Sequence, residues 1–358
     1  MRSYWTGTPV LTLPIKAKAE RMLGVDARSL VLDTSYITDR FDINLSRWRS
    51  LPVVGRLLPY AVFVWLCMRA ERIHSFCDRG VLPQIRHLQY NPLELFAYRV
   101  FRIEHFLWTY GADVRSRHAT LMLGDPNCCT DCRQVGAACV CDEATRVRYA
   151  HNLVRNATAV FSMGDMIEYV PGSNAETYFW PIDLDADAGA KYRPSFPDGD
   201  DSRPLRVVHA PNHRDFKGTK FLEQAVRRLV DSGVPIELVM VHKVPNEEAL
   251  RIYRTADVIF DQCMIGFHGY FALEAMALGK PVMCFIRKES YLLAPDECPI
   301  VRIDTLSIGA TLSRFVRERS RLRDLGVRGR RYVERHYSVE AFSRRLEVGL
   351  CLSRRLNS

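Results

Sequence analysis

Residues 266–282, GFHGYFALEAMALGKPV, decide how this chain is read. A loop holding Gly266 and Gly269 leads into a short helix with one acid, Glu274. The helix stops at Gly279 and passes through Lys280 and Pro281 into an apolar strand over 282–286. Glycine after a helix accepts the left-handed conformation, and proline just beyond it cannot continue the helix. The unit is therefore a loop, a helix N-terminus and a buried strand. A helix N-terminus offers unpaired N–H groups and the positive end of a dipole, which suit a phosphate. A carboxylate only accepts hydrogen bonds, which suits a ribose diol. Together they describe a pocket for a nucleoside diphosphate.

Outward from this stretch, short apolar strands alternate with helices. From residue 205 the order is LRVVHAP, a helix over 219–231, IELVMVH, a helix over 246–255, VIFDQ, the 270s helix, PVMCFI and PIVRID. Such alternation predicts a parallel, doubly wound sheet with ligands at its strand ends. The first half alternates too. Helices over 10–23, 57–70, 91–101 and 143–155 precede the strands SLVLDT, RIHSFC, IEHFLWT and TAVFSM. Residues 178–204, rich in Pro, Asp and Gly, read as the connection between two domains. One irregularity is at the start: YWTGTP (4–9) already reads as the glycine loop, so the strand that should precede it is expected to be absent or to lie upstream.

LEAMALGKPV after a Gly-aromatic loop resembles the donor site of retaining glycosyltransferases of family 4. The resemblance extends through VVHAPNHRDFKGTKFLEQAVRRL (207–229), ELVMVHKVP (237–245), EALRIYRTADVIFDQ (248–262) and ERHYSVEAF (334–342). It covers nearly all of the second half and is weaker in the first. It implies a GT-B fold, in which two doubly wound Rossmann-like domains face a cleft. The expected division is an acceptor-side domain over 1–183, with a Cys-rich insertion near 125–143, a donor domain over 184–340, and a helix over 341–358 that returns to the first domain.

The resemblance also places functional residues. In PNHRDFKGT (211–219), Lys217 matches the lysine that holds the donor diphosphate and Arg214 is the accompanying arginine, though closer to the lysine than the family spacing. Cations belong there because charge grows on the leaving group as the glycosidic bond breaks. A surface turn with incidental charges is the alternative. Glu274 matches the second Glu of a Glu-x7-Glu pair, the one on the ribose hydroxyls; otherwise it is a dipole-favoured acid facing solvent. The first Glu of that pair is replaced by Gly266, a departure that bears on sugar specificity. His268 and Gly269 occupy the loop against the phosphates, with backbone N–H donation favoured over side-chain chemistry. In YGADVR (110–115), Gly111 and Asp113 match a His-Gly-x-Asp loop near the reacting sugar, with Tyr110 in place of the His. Asp113 reads equally as a helix N-cap. Gly7 and Thr8 line the acceptor side. The family needs no metal for transfer, and the departing phosphate is thought to deprotonate the acceptor.

Outside that pattern lies CCTDCRQVGAACVC (128–141). Cys129 with Cys132, and Cys139 with Cys141, form two close thiol pairs that suit structural zinc or an iron–sulfur cluster; the alternative is a loop of reduced thiols. Eleven cysteines without a secretion signal argue for a reducing compartment, the cytoplasm. The longest apolar run, LLPYAVFVWLCM (57–68), is too short to span a bilayer and reads as a buried helix or an interfacial one. A net charge of +9 suits anionic partners such as a sugar nucleotide or a membrane surface. Nucleic acid is disfavoured, since no recognition motif or compact basic run is present.

The resemblance thus implies a transferase that moves a sugar from a nucleoside diphosphate to a glycan or lipid-linked acceptor, with retention of configuration, in bacterial polysaccharide or glycoconjugate assembly. Its rivals are an epimerase-like enzyme on the same fold, for which flanking acid/base residues are not found, and a degenerate binding protein with Gly266 marking lost catalysis.

Overall fold

The computed structural model describes residues 1–86, 89–137, 139–187 and 189–355. It divides into two units: Met1–Ala119, Gln134–Pro181 and Val339–Ser358 form the first, Thr120–Arg133 and Ile182–Ser338 the second.

The first unit carries strands β1 (Arg2–Trp5), β2 (Asp26–Val31), β3 (Ile43–Asn44), β4 (Arg72–Phe76), β5 (Glu104–Trp108) and β6 (Ala159–Phe161). They form one parallel sheet in the order β3-β2-β1-β4-β5-β6. Helices α1 (Thr12–Arg21), α2 (Ser46–Arg49), α3 (Val54–Arg69), α4 (Pro92–Val100) and α6 (Glu143–Asn156) lie in this unit with them, and α5 (Arg117–Met122) straddles its boundary at Ala119. The strand expected to be missing is present. Arg2–Trp5 pairs with both β2 and β4 at the middle of the sheet, so Tyr4 and Trp5 belong to a strand and the loop begins after them. Its last three residues are buried on both faces and carry no alternation by which a strand could be read.

The core of this unit holds Tyr4, Leu30, Val62, Leu66, Ile73 and Tyr98. Polar groups are buried with it. Glu20 accepts from the Ser3 hydroxyl, the Trp5 indole and Arg72, each at 2.7 Å. Lys16, one turn earlier on α1, has a fully buried amine with no hydrogen-bond partner. It lies over the rings of Phe76, Phe179, Trp108 and Trp5 at 4.8, 5.0, 5.6 and 5.8 Å.

In the second unit, strands β7 (Leu205–His209), β8 (Ile236–Met240), β9 (Val258–Gln262), β10 (Val282–Cys284) and β11 (Val301–Arg302) form a parallel sheet in the order β11-β10-β9-β7-β8. The connecting helices are α7 (Arg214–Lys217), α8 (Thr219–Asp231), α9 (Asn246–Arg254), α10 (Tyr270–Ala277), α11 (Ile308–Arg317) and α12 (Ser320–His336). The last helix, α13 (Val339–Arg355), belongs to the first unit, where the Ser343 hydroxyl donates to the Ala19 carbonyl of α1 at 2.9 Å.

Both orders are doubly wound, and each reverses direction once. The switch lies between β1 and β4 in the first sheet and between β7 and β9 in the second. Loops at the carboxyl ends of those strands are where open parallel sheets bind ligands.

Candidate functional site

The motifs that decided the sequence reading sit on the switch of the second sheet. PNHRDFKGT follows β7, and the Gly266–Gly269 loop follows β9. His209, at the end of β7, ties the two strands together. Its Nδ1 donates to the Phe260 carbonyl and its Nε2 accepts from the Thr219 hydroxyl, both at 2.9 Å. Burial pushes this imidazole down to about 4, which keeps it neutral and suited to one donor and one acceptor.

Lys217 closes α7 and points at the end of β9, where its Nζ lies 2.7 Å from Asp261 Oδ1. The other carboxylate oxygen accepts the Gly269 N–H at 2.5 Å. Asp261 is fully buried. Burial alone would raise its carboxyl, but the Lys217 charge, the Gly269 amide and the Lys217 hydrogen bond hold it below the usual carboxylate range. One buried acid therefore positions both the lysine and the residue that caps α10. Gly269 permits this approach, because a Cβ there would lie 3.0 Å from the Lys217 amine. The first turn of α10 holds no acid of its own, and the carboxylate at its positive end is that of Asp261, bonded to the Gly269 amide.

Glu274 lies in the second turn of α10 and is 5% exposed. Its Oε1 accepts from Asn246 Nδ2 at 2.8 Å and from the Tyr192 hydroxyl at 3.1 Å. Burial pushes its carboxyl up. Asn246, the first residue of α9, has a buried Oδ1 with no hydrogen-bond partner, leaving an open acceptor beside the carboxylate.

The other matched positions divide. Gly266 has φ +99°, and a Cβ built on it would meet the Arg287 Cβ at 2.9 Å. The departure from the Glu-x7-Glu pair is thus written into the backbone: a glutamate here would be both strained and crowded. Arg287 accounts for the crowding, since it reaches the Leu123 and Gly124 carbonyls at 2.9 and 3.0 Å and fastens residues 120–133 to this unit. His268 is buried, with Nε2 3.4 Å from the Tyr337 hydroxyl and its ring tilted against Phe267, and burial pushes it down to about 4. Arg214 points away along α8 to Glu223, an exposed pair at 2.5 Å.

In the first unit the switch loops meet in the same manner. Gly7, at φ +105°, passes so close to the loop after β4 that a Cβ would sit 2.4 Å from the Arg79 carbonyl oxygen. The Thr8 hydroxyl donates to Asp78 at 3.0 Å, and the Tyr110 hydroxyl donates to the same carboxylate at 3.3 Å. Asp113 turns inward and accepts the Tyr110 and Gly111 amides at 3.1 and 2.9 Å, holding the turn that follows β5. Burial, with the neighbouring Asp78 charge, pushes Asp113 up to about 8.

Cys129 and Cys132 belong to the second unit, Cys139 and Cys141 to the first. Among the described residues, no three His, Cys, Asp or Glu side chains are grouped to hold a metal ion. Cys141 Sγ instead accepts the Gly136 amide at 3.2 Å.

Four residues of this arrangement escaped the sequence reading as site residues. The sequence offers Asp261, with Gln262, only as a polar strand end that could supply contacts in place of the missing Glu but matches no family position, and it does not single out Tyr192, Asn246 or Arg287. The signal for Asp261 is an acid closing an otherwise apolar strand, VIFDQ. Tyr192 and Asn246 lie 82 and 28 residues from Glu274 and carry no local signal.

No protein-family model matches the sequence, and no curated protein matches it. Solved structures do. A sucrose-phosphate synthase from Thermosynechococcus elongatus is similar with a TM-score of 0.61 at 15% identity, covering 99% of this chain and 98% of that one. HepE of Anabaena, in complex with UDP and glucose, gives 0.61 at 11% identity over 98% and 99% of the two chains. An alpha-glucosyltransferase in complex with UDP and DNA gives 0.55 at 11% over 98% and 99%. At such identities the likeness defines the fold: two doubly wound parallel sheets of the GT-B type.

Proposed function

We propose that the protein is a glycosyltransferase of the retaining, family-4-like kind, taking its sugar from a nucleoside diphosphate. The observation that carries this reading is the convergence at the β7/β9 switch. Lys217 and the N-terminus of α10 are aligned by one buried acid, Asp261, and Glu274 stands one turn further along the same helix. A diphosphate against α10 would take the open amides and draw on the two remaining donors of Lys217. As the glycosidic bond breaks, these fixed positive groups stabilise the growing charge without reorganising. Glu274, oriented by Asn246 and Tyr192, receives the ribose hydroxyls. HepE is described with UDP-glucose, and this supports a uridine nucleotide as the donor. Asp113, Gly7 and Thr8 belong in this reading to the acceptor side, and Arg214 to the diphosphate loop.

The acceptor in this reading is a glycan or a lipid-linked glycan in polysaccharide assembly, and the protein works in the cytoplasm with peripheral contact to the membrane's inner face. Among the described residues no helix is long and apolar enough to cross a membrane. A structural zinc is part of this reading, with the thiols of Cys129, Cys132, Cys139 and Cys141 together holding it. Elemental analysis tests it, with one equivalent expected if they do.

The deciding experiment is a thermal-shift and calorimetric screen of nucleotides and nucleotide sugars. UDP at 100 times its dissociation constant is expected to stabilise the protein by about 2.7 kcal/mol. No nucleoside diphosphate raising the melting temperature would sink the proposal. Nucleotide release only in the presence of an acceptor then separates a transferase from a degenerate binder.

A further inference from the structure

Helix α3 is apolar on both its buried and its exposed face. Gly55, Pro59, Val62 and Leu66 are buried on the sheet, as expected. The opposite face is apolar as well: Val53, Leu57, Tyr60, Val64 and Met68 are all exposed, Met68 at 70% and Leu57 at 63%. At about 100° per residue these five fall within an arc of roughly 80°. Arg56, exposed, stands about 40° beyond one edge of this arc, whereas Arg69, also exposed, lies about 100° beyond the other edge, toward the buried side. Helix α4, which packs against α3, extends the face with Leu93, Phe96, Val100 and Phe101, each more than half exposed.

The charges around this face have one sign. Between residues 43 and 70 there is no Asp or Glu, while Arg47, Arg56 and Arg69 are exposed. On α4 the single acid, Glu94, is buried and accepts the Val81 and Leu82 amides, while Arg99 and Arg102 are exposed. The next acid along the chain, Glu71, faces the N-terminal amine and the Arg2 amide. Trp48 and Tyr60, both more than half exposed, add amphipathic rings at the margin.

We infer that this α3–α4 face is a membrane-docking surface for an anionic bilayer, entered in-plane without spanning. The apolar arc would sit at the level of the upper acyl chains, the arginines would reach phosphate headgroups, and Trp48 and Tyr60 would lie at the boundary. The occupant follows from the charge. A second copy of the chain would place arginine against arginine, and a protein partner would need an acidic rim around an apolar centre. An anionic bilayer supplies both in one surface. This deepens the peripheral contact proposed above and rests on it, but it is independent of the donor chemistry.

The test is co-sedimentation of the full-length protein with vesicles of phosphatidylcholine alone or with phosphatidylglycerol added, with UDP binding measured in parallel. Binding is expected only with the anionic lipid. The triple variant Leu57→Ser/Val64→Ser/Met68→Ser and the charge variant Arg47→Glu/Arg56→Glu should each lose at least tenfold in partitioning while UDP affinity stays unchanged. All the substituted side chains are exposed, so folding is expected to survive, and the unchanged UDP titration checks it. No vesicle binding, or binding indifferent to both variants, would overturn the surface and leave the donor reading intact. A concentration-dependent dimer abolished by the triple variant, without vesicle binding, would overturn it in favour of self-association. Vesicle binding without UDP binding would sink the donor reading alone.

Discussion

Replacing Lys16 by methionine should make the protein more stable, and the gain should depend on pH. The Lys16 amine is wholly buried without a hydrogen bond, and burial pushes it from 10.5 down to about 7. The folded state therefore releases a proton that the unfolded state keeps. Because the unfolded chain binds more protons between those two values, stability rises with pH across that window by about 1.4 kcal/mol per unit. At pH 7 the whole penalty is present, roughly 4–5 kcal/mol for a shift of this size. By pH 10 most of it is gone. What then remains is the smaller cost of a neutral amine without a partner, about 1–3 kcal/mol. The opposing contribution is the ring faces of Phe76, Phe179, Trp108 and Trp5, each worth about 0.5–2 kcal/mol to a protonated amine. Lys16→Met keeps the shape, packs the thioether against the same rings and removes the charge question.

The assay can be confined to the unit concerned. All five tryptophans, at 5, 48, 65, 108 and 180, lie in the first unit, so tryptophan fluorescence reports its unfolding by denaturant. Taking the variant minus wild-type difference at pH 7, 8, 9 and 10 cancels every other titrating group. The expected difference is largest at pH 7 and shrinks by about 1.4 kcal/mol per unit. A variant less stable than wild type at pH 7 would refute the reasoning. A difference that does not change with pH would show the amine charged throughout, held by the rings.

Lys217→Ala should cost about 3–5 kcal/mol because it strands the buried Asp261 charge, and Lys217→Met with Asp261→Asn should recover most of that loss; chemical denaturation of the three proteins checks it. Arg214→Ala removes only an exposed pair and should change stability by less than about 1 kcal/mol, so any loss of turnover there reports on function. Glu274→Gln should weaken UDP binding by about 1.5–3 kcal/mol in calorimetry, and equal affinity would remove Glu274 from the donor site. Gly266→Glu restores the family's residue but meets φ +99° and Arg287, so it should destabilise by at least about 1–3 kcal/mol in thermal melts and gain no activity.

Most of the fold was legible because a parallel strand buried on both faces is a short apolar run between helices, and the chain writes that alternation repeatedly. VIFDQ became β9 and the helix expected over 219–231 became α8 with the same ends. The first strand failed as a reading for the same physical reason in reverse. RSYW has a charge, a hydroxyl and two aromatics, so only the pairing of both its edges identifies it as β1. The site was legible where its residues are consecutive, as in the glycine loop and α10, and illegible where they are brought together by topology.

Asp261 shows why that difference bears on chemistry. Sequence spacing supplies a lysine and a helix N-terminus, two positive groups that would repel each other and drift. Parallel pairing of β9 beside β7 puts a carboxylate between them, bonded to one through each oxygen. The lysine and the carboxylate are paired at 2.7 Å, with Lys217 at only 17% side-chain exposure. In the proposed reading, a diphosphate at α10 would meet an amine already aimed, and would compete with Asp261 for it instead of having to order it. Arg214, by contrast, is held only by Glu223 on the surface and carries no such alignment. Of the two cations that the sequence offers for the leaving group, the geometry favours Lys217.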